Sequence, residues 1–190
     1  NSQEYFRSEL LYRKGFKNYF FTKTSSKSSC NELSKRLFPH LESYSNEQIH
    51  SNKVVQIPKQ LKSVSNYADG IITNAKGKAL WIYTADCVPI LLGEPKSNFI
   101  GAVHSGWKGI AKGIVTHTID KLKKEGVDIN QLTIALGPSI SKNRYQVDSP
   151  VINAIYDSIF PKLNSIDFDK KLNDLISIRV IERDNISNKY

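Results

Sequence analysis

Three side chains in this sequence have the chemistry to share one metal ion: His50, Cys87 and His104. Each borders a predicted strand, and strand ends are where residues far apart in a chain can meet in a cleft. Two imidazoles and one thiolate form a ligand set suited to zinc, with a fourth position left open. With a weak axial ligand the same trio suits copper. Taken singly, these residues are more simply explained as a packing cysteine and ordinary polar histidines.

Two carboxylates lie beside these candidates in the sequence. Asp69 sits in an Ala-Asp-Gly turn, and Asp86 directly precedes Cys87. Either could orient a metal-bound histidine by accepting a hydrogen bond from its second ring nitrogen. Turn capping is the simpler role for Asp69. Asp86 is the candidate for moving protons, although its position before the cysteine could also aim it away from the metal.

The loop that follows His104 contains small residues and a cation, in the order Gly106, Trp107 and Lys108. It leads into a predicted helix, whose first N–H groups can bind phosphate, and Lys108 could add a positive charge. Trp107 could stack on a ligand base, but tryptophan is more often a core residue. The alternative is an ordinary strand-to-helix turn that needs glycine for its backbone angles.

The strands that must position these residues are predicted from short apolar runs bounded by turn residues. They cover residues 53–57, 70–73, 79–84, 99–104 and 132–136. The runs at 79–84 and 99–104 lack polar alternation, so both are expected to be buried on two faces. The run at 132–136 is expected to be a third buried strand. Aromatic runs within residues 5–22 predict one or two more strands, followed by a polar loop at 24–29.

Helices are predicted where apolar residues recur every three to four positions. One covers residues 31–38, and a second covers 110–124 with Gly126 as its stop. A third begins at Ser149 as the N-cap, followed by Pro150 at the first helical position. Strands and helices interleave with few clean βαβ units. The expected fold class is therefore α/β of the α+β type, with a mixed central sheet sandwiched by helices.

Composition narrows the class of protein. A length of 190 residues, 39% of them hydrophobic, predicts a single domain over residues 1–190 with a real core. The net charge of +9 comes from scattered lysines, and the run at 121–124 complements a helix C-terminus, so nucleic-acid binding is not expected. No apolar run reaches the roughly 20 residues of a membrane span, and no export signal is expected. Two cysteines form no disulfide framework, which favours the cytoplasm.

Five ordered motifs resemble one family, the laccase-domain proteins that are described as purine nucleoside phosphorylases. The motifs are Gln48-Ile49-His50, Ala68-Asp69-Gly70, Thr84-Ala85-Asp86-Cys87, His104-Ser105-Gly106-Trp107-Lys108-Gly109, and Gly137-Pro138-Ser139-Ile140 with Tyr145-Gln146-Val147. Order and spacing match across roughly half of the chain, which makes the signal specific.

The resemblance implies a function and a ligand set. It implies phosphorolysis of adenosine, inosine and methylthioadenosine to a free base and ribose 1-phosphate, with some adenosine deamination. It also implies that His50, Cys87 and His104 are the metal ligands, for zinc or alternatively copper. The implied partners are purine nucleosides and phosphate. The expected assembly is a monomer or a weak homo-oligomer.

The sequence departs from the family pattern at several points. Lys108 replaces an arginine and so loses two-pronged phosphate geometry, and Gln146 replaces a glutamate. The family's glycine-rich N-terminal segment and arginine-rich C-terminal segment have no counterpart. Two alternatives therefore stay open: a non-catalytic protein that binds nucleoside and metal, and a copper-dependent polyphenol oxidase. Four histidines are few for an oxidase that couples several coppers.

Overall fold

The computed structural model describes residues 5–23, 28–59, 67–161 and 166–182. In chain order the strands are β1 (Tyr5–Phe6), β2 (Phe20–Phe21), β3 (Glu42–Ser45), β4 (Val54–Gln56), β5 (Gly70–Thr73), β6 (Lys78–Trp81), β7 (Val88–Glu94), β8 (Phe99–Ser105) and β9 (Thr133–Leu136). The α-helices are α1 (Glu9–Arg13), α2 (Cys30–Leu37), α3 (Trp107–Ala111), α4 (Ile114–Lys124), α5 (Ser149–Ile159) and α6 (Phe168–Ser177).

The largest sheet has five strands in the order β4-β5-β8-β7-β9. Strands β4 and β5 are parallel, whereas the other three pairings are antiparallel, so the sheet is mixed. Two smaller sheets pair β1 with β2 and β3 with β6. Helices and mixed sheets in one fold confirm the predicted α/β class.

Helix α4 covers one face of the five-stranded sheet and closes the main core. Ile114, Thr118 and Leu122 recur every four residues and are all buried, as one stripe of a helix requires. Ile114 and Leu122 pack in one core cluster with sheet residues that alternate along β7 and β8, among them Leu92 and Val103. This packing fixes the sheet, and with it the strand ends that carry the candidate ligands.

The opposite face of the sheet meets the smaller sheets. Leu91 and Ala102 on this face help to enclose a cavity of about 230 Å³, together with Phe21 and Trp81 from the smaller sheets and Tyr19, which directly precedes β2. The rings of Phe21 and Trp81 stack with centroids 5.5 Å apart. Within the described ranges, no helix combines the length and the apolar composition that crossing a bilayer requires.

The predicted strands at 53–57, 70–73 and 99–104 are confirmed as β4, β5 and β8, but two other strand predictions need correction. The run at 79–84 forms the shorter, half-buried β6, which pairs with β3 outside the large sheet. The run at 132–136 forms β9, which pairs with β7 and is an edge strand of the sheet that the described residues form. Ile134 and Leu136, which alternate along β9 and so share one of its faces, are exposed, and the predicted burial on both faces is therefore wrong.

The helix predicted over residues 110–124 is broken into α3 and α4. Gly113 adopts a left-handed conformation with φ of 77°, which ends one helix and starts the next. A side chain would disfavour this φ, so glycine permits the break. The apolar spacing continues through the break, which is why periodicity alone predicts one helix.

The observed helix ends agree only in part with those predicted from the sequence. Helix α2 begins with a capping box, in which Ser29 accepts from the Glu32 N–H and Glu32 accepts from the Ser29 N–H. Asp148, not Ser149, is the N-cap residue of α5, so Pro150 comes second in the helix. Most of the polar loop predicted at 24–29 lies outside the described residues.

Candidate metal centre

His50, Cys87 and His104 converge at one end of the large sheet. Their ligand atoms all lie within 4.8 Å of one another. Antiparallel pairing explains part of this convergence, because Pro89 at the start of β7 lies opposite His104 near the end of β8. Cys87 directly precedes β7, so the thiol comes next to the imidazole of His104. The convergence expected from the sequence is therefore present.

The two histidine rings approach each other edge to face. Their centroids lie 4.8 Å apart, with 86° between the ring planes. His50 is exposed, Cys87 is half-buried and His104 is buried. The trio thus spans the boundary between the core and solvent, an arrangement that gives a reactant access from one side.

The loop of His50 is held in an unusual conformation by Asp69. His50 has a φ of 54°, in the left-handed region that residues with a side chain seldom adopt. Oδ1 of Asp69 accepts from the His50 N–H at 3.0 Å, and Oδ2 accepts from the Ser51 N–H at 2.6 Å and the Ser51 hydroxyl at 2.7 Å. These three bonds offset the backbone strain at His50.

The same carboxylate orients the second histidine. Nδ1 of His104 lies 2.9 Å from Oδ1 of Asp69, and a carboxylate can only accept this bond. The proton therefore sits on Nδ1, and Nε2 keeps its lone pair for a metal. Asp69 both caps the turn and orients a histidine, so the two roles that the sequence offered as alternatives occur together.

Asp69 stays ionised in the folded protein. Burial alone would raise the pKa of this carboxyl group, which is 1% exposed. Hydrogen bonds from His104, from Ser51 and from the His50 N–H outweigh burial and hold the pKa below its usual value. The negative charge beside the trio favours a bound cation.

Cys87 is a thiol rather than a thiolate before any ligand binds. Burial raises its pKa, and the negative charges of Asp86 and Asp69 raise it further. A metal that takes this sulfur as a ligand must displace its proton. The negative surroundings that oppose an isolated thiolate are the ones that stabilise a cation bonded to it.

Gly106 leaves the space that the trio occupies. A Cβ atom built at this position would lie 2.8 Å from Sγ of Cys87 and 3.4 Å from Cδ2 of His50. Gly106 has a φ of −84°, which any residue can adopt. Space, not backbone freedom, is therefore the reason for glycine here.

The other predicted site residues lie around the trio but outside it. Asp86 is exposed, and its carbonyl oxygen accepts from the Ile140 N–H at 3.1 Å. Trp107 is half-buried and Lys108 is exposed in the first turn of α3, with Nζ of Lys108 5.5 Å from the Trp107 ring centroid. Their catalytic and binding roles stay predictions.

The donor set fits zinc. A tetrahedral zinc ion bonds nitrogen at about 2.0–2.1 Å and sulfur at about 2.3 Å, so a small inward shift of the three side chains would let them share one ion. The Asp69 carboxylate already provides the outer hydrogen bond that such histidines usually have. Copper accepts the same atoms. The sequence analysis does not predict the role of Ser51, which donates two hydrogen bonds to Asp69. The only hint in the sequence is that Ser51 follows His50 in a polar turn.

Comparison with known proteins gives an independent view of the chain. The family model described as multi-copper polyphenol oxidoreductase laccase matches residues 25–186, a range that includes all three candidate ligands. A purine nucleoside phosphorylase of Synechocystis is 33% identical over 146 residues, which cover 74% of this chain and 55% of the relative. A purine nucleoside phosphorylase of Aquifex aeolicus is 41% identical over 101 residues, which cover 53% and 46%.

Solved structures show the same fold. YlmD from Geobacillus stearothermophilus superimposes with a TM-score of 0.59 at 29% identity, covering 72% of this chain and 54% of that one. The Bacillus licheniformis protein YfiH gives a TM-score of 0.57 at 26% identity, with coverage of 73% and 54%. The chain spans about half the length of the relatives it matches.

Proposed function

Because the chain belongs to the multi-copper polyphenol oxidoreductase laccase family, we propose that it is a metal-dependent purine nucleoside phosphorylase. Its substrates would be adenosine, inosine or methylthioadenosine together with phosphate, and its products a free base and ribose 1-phosphate. Relatives at 33% and 41% identity carry the name purine nucleoside phosphorylase. The observation that carries the proposal is the approach of His50, Cys87 and His104 to within 4.8 Å of one another.

Three side chains would hold the metal, and a fourth would orient the two histidines. His50, Cys87 and His104 supply two nitrogens and one sulfur, and Asp69 fixes which nitrogen of His104 is free. Zinc is the metal proposed, with copper as the alternative. When bound, such an ion would polarise a substrate atom or lower the pKa of water. That chemistry would also allow adenosine deamination as a side activity.

The phosphate would bind in the loop after β8. The first N–H groups of α3 have no acceptor within the helix, and Lys108 adds an exposed cation in the same turn. Gly106 lies against Cys87, so an anion bound in this loop would be close to the trio. Phosphate oxygen would then form a bond to the sugar C1′ as the bond from C1′ to the purine nitrogen breaks.

The departing purine needs a proton, and Asp86 is the residue proposed to relay one to it from water. It lies beside Cys87 in sequence and is exposed, so it can exchange protons with water. Trp107, half-buried beside Lys108, is proposed to contact the base through its ring. We further propose that the protein works in the cytoplasm.

A metal-binding protein without turnover is the second candidate. Lysine at position 108 keeps a positive charge but loses the two-pronged contact that arginine makes with phosphate. A multicopper oxidase fits less well. Only one group of three or more metal-ligating side chains occurs in the part of the chain that the structure describes.

The experiment is an assay of zinc-loaded protein with inosine, with and without phosphate. We expect phosphate-dependent release of hypoxanthine and about one metal ion per chain by elemental analysis. Cys87→Ala should lose both, whereas Cys30→Ala should keep both, because Cys30 lies in α2 away from the trio. Metal-loaded protein that yields no phosphate-dependent product would overturn the phosphorylase proposal, and tight nucleoside binding without product would favour the second candidate.

A further inference from the structure

We propose that Gln48 is a positioning residue that sets His50 at the correct distance from Cys87. The inference rests on the proposed metal site, and it assigns to this glutamine a role in building that site. Gln48 lies two residues before His50 in the chain, and its amide contacts a residue on the segment that leads to Cys87. It touches neither the metal ligands' donor atoms nor, in this proposal, the substrate.

The Gln48 side chain makes two hydrogen bonds to the backbone of one residue, Tyr83. Nε2 of Gln48 donates to the Tyr83 carbonyl oxygen at 2.7 Å, and Oε1 accepts from the Tyr83 N–H at 2.7 Å. This is the pattern by which one strand residue bonds to its partner, made here by a side chain. Two short bonds to the N–H and the carbonyl oxygen of one residue fix both the distance and the direction between the segments.

The position of this contact explains its effect on the site. Tyr83 precedes Cys87 in the loop between β6 and β7, and Gln48 precedes His50 in the loop between β3 and β4. The contact thus joins the two loops that carry these ligands. The far end of Tyr83 is also fixed, because its hydroxyl oxygen accepts from the Cys30 N–H at 3.2 Å at the start of α2.

Gln48 and Asp69 position different members of the trio. Asp69 holds the His50 loop through the N–H groups of His50 and Ser51, and it bonds the ring of His104. It therefore sets the two histidines relative to each other. Gln48 sets the same loop relative to the Cys87 segment, which Asp69 does not bond.

The chemistry of the contact is specific to glutamine. It needs a donor and an acceptor on one planar group at the end of a side chain of this length. Methionine has nearly the same length and shape but neither bond. Asparagine keeps the amide but is one methylene shorter, so it falls short of Tyr83.

The experiment compares zinc affinity in Gln48→Met and Gln48→Asn with a matched control. Asn18 makes the same kind of contact far from the trio, since its amide accepts from the Ser8 N–H at 2.7 Å and donates to the Ser8 carbonyl at 3.1 Å. Asn18→Leu removes that contact. Zinc dissociation constants are measured by competition with a chromophoric chelator, and thermal unfolding is followed in parallel.

Both Gln48 variants should bind zinc about tenfold or more weakly, as expected when outer contacts of a metal site are lost. When Co²⁺ is bound in place of zinc as a spectroscopic probe, the thiolate-to-cobalt charge-transfer band should weaken or shift in these variants. Asn18→Leu should lower the unfolding temperature and keep the wild-type dissociation constant and spectrum. Gln48→Asn retains a polar side chain and decides the question if Gln48→Met fails to fold.

The outcomes separate the two proposals. Wild-type protein that binds no zinc overturns the metal site itself. Wild-type affinity and spectrum in a folded Gln48 variant overturn the positioning role alone. Equal weakening in Asn18→Leu also overturns it, since general loss of stability would then explain the effect.

Discussion

Nδ1 of His104 and Oδ1 of Asp69 lie 2.9 Å apart at the end of two paired strands, where β8 runs beside the start of β5. The backbone repeats the contact, because the His104 N–H donates to the Asp69 carbonyl oxygen at 2.7 Å. Side chain and main chain therefore hold this histidine in one orientation. Its second nitrogen, Nε2, remains available for a ligand.

Asp69→Asn should weaken zinc binding by about 10–100-fold. One end of the asparagine amide would present N–H groups where Asp69 now accepts from the backbone and the hydroxyl of Ser51. Two donors would then face each other, and the loop of His50 would shift. Zinc dissociation constants measure the effect. Asp167→Asn, which removes a carboxylate that caps α6, should leave them unchanged; an equal loss in both variants contradicts the specific role.

Gly106→Ala should reduce zinc affinity by about tenfold without unfolding the protein. The added methyl group would lie 2.8 Å from the sulfur of Cys87, so the sulfur must move. Gly126→Ala is the control for the loss of a glycine. At that position φ is 78° and the space is open, so alanine should cost stability and leave zinc affinity intact. Unchanged affinity in Gly106→Ala would show that the sulfur tolerates the crowding.

Lys108→Ala should raise the KM for phosphate by about tenfold while the metal content stays constant, because a charged hydrogen-bond donor is lost. Lys108→Arg should match or improve on the wild-type KM, since guanidinium can contact phosphate at two points. Steady-state kinetics at varied phosphate measure both. Lys124→Ala, at the far end of α4, should behave as wild type. A phosphate KM unaffected by Lys108→Ala removes this residue from the proposed phosphate site.

Glu94 should make the stability of the β7–β8 hairpin depend on pH. Burial would raise the pKa of this carboxyl group, but hydrogen bonds from the Ser97 hydroxyl and the N–H groups of Lys96 and Ser97 hold it below the usual 4.5. A lowered pKa in the folded state gives stability that is present above the unfolded pKa and is lost as pH falls through the folded one. Unfolding temperatures should therefore drop as the pH falls below about 4.5.

Glu94→Gln isolates this contribution. At neutral pH it should destabilise the protein by about 1–3 kcal/mol, because two backbone donors and a hydroxyl lose an ionised acceptor. Its unfolding temperature should then vary less with acid than that of the wild type. Glu9→Gln is the control, since that carboxylate is exposed and pairs with Arg7 and Arg13. If the unfolding temperature of Glu94→Gln fell with acid as steeply as that of the wild type, groups other than Glu94 would be responsible for the pH dependence.

The meeting of the three candidate ligands is predictable from sequence, because motif order and strand ends carry the information. The double role of Asp69, which caps the turn of His50 and orients His104, is harder to predict from the sequence. A turn signal and a histidine partner look like alternatives in a sequence, and only the fold shows that one carboxylate has enough acceptor capacity for both. The hydrogen bonds of Gln48 to Tyr83 join distant loops, so no local pattern reveals them.

The predictions about the fold that were wrong also have physical explanations. Apolar spacing runs through Gly113 without interruption, so periodicity does not reveal the break that its positive φ introduces. Residues 132–136 form an apolar run like those of buried strands, yet Leu136 is 67% exposed. Whether a strand is central or at an edge depends on its neighbours, which its own residues do not specify.

Cys87 and His104 are connected by a single hairpin, formed by β7 and β8. This connection affects the order in which the parts of the site form during folding. Two of the three candidate ligands come together as soon as β7 and β8 pair, since the register itself sets Pro89 beside His104. Closing a short loop costs little chain entropy, so this half of the site can form early. His50 lies on a separate segment between β3 and β4, so it joins the other two ligands only through contacts between residues far apart in the chain.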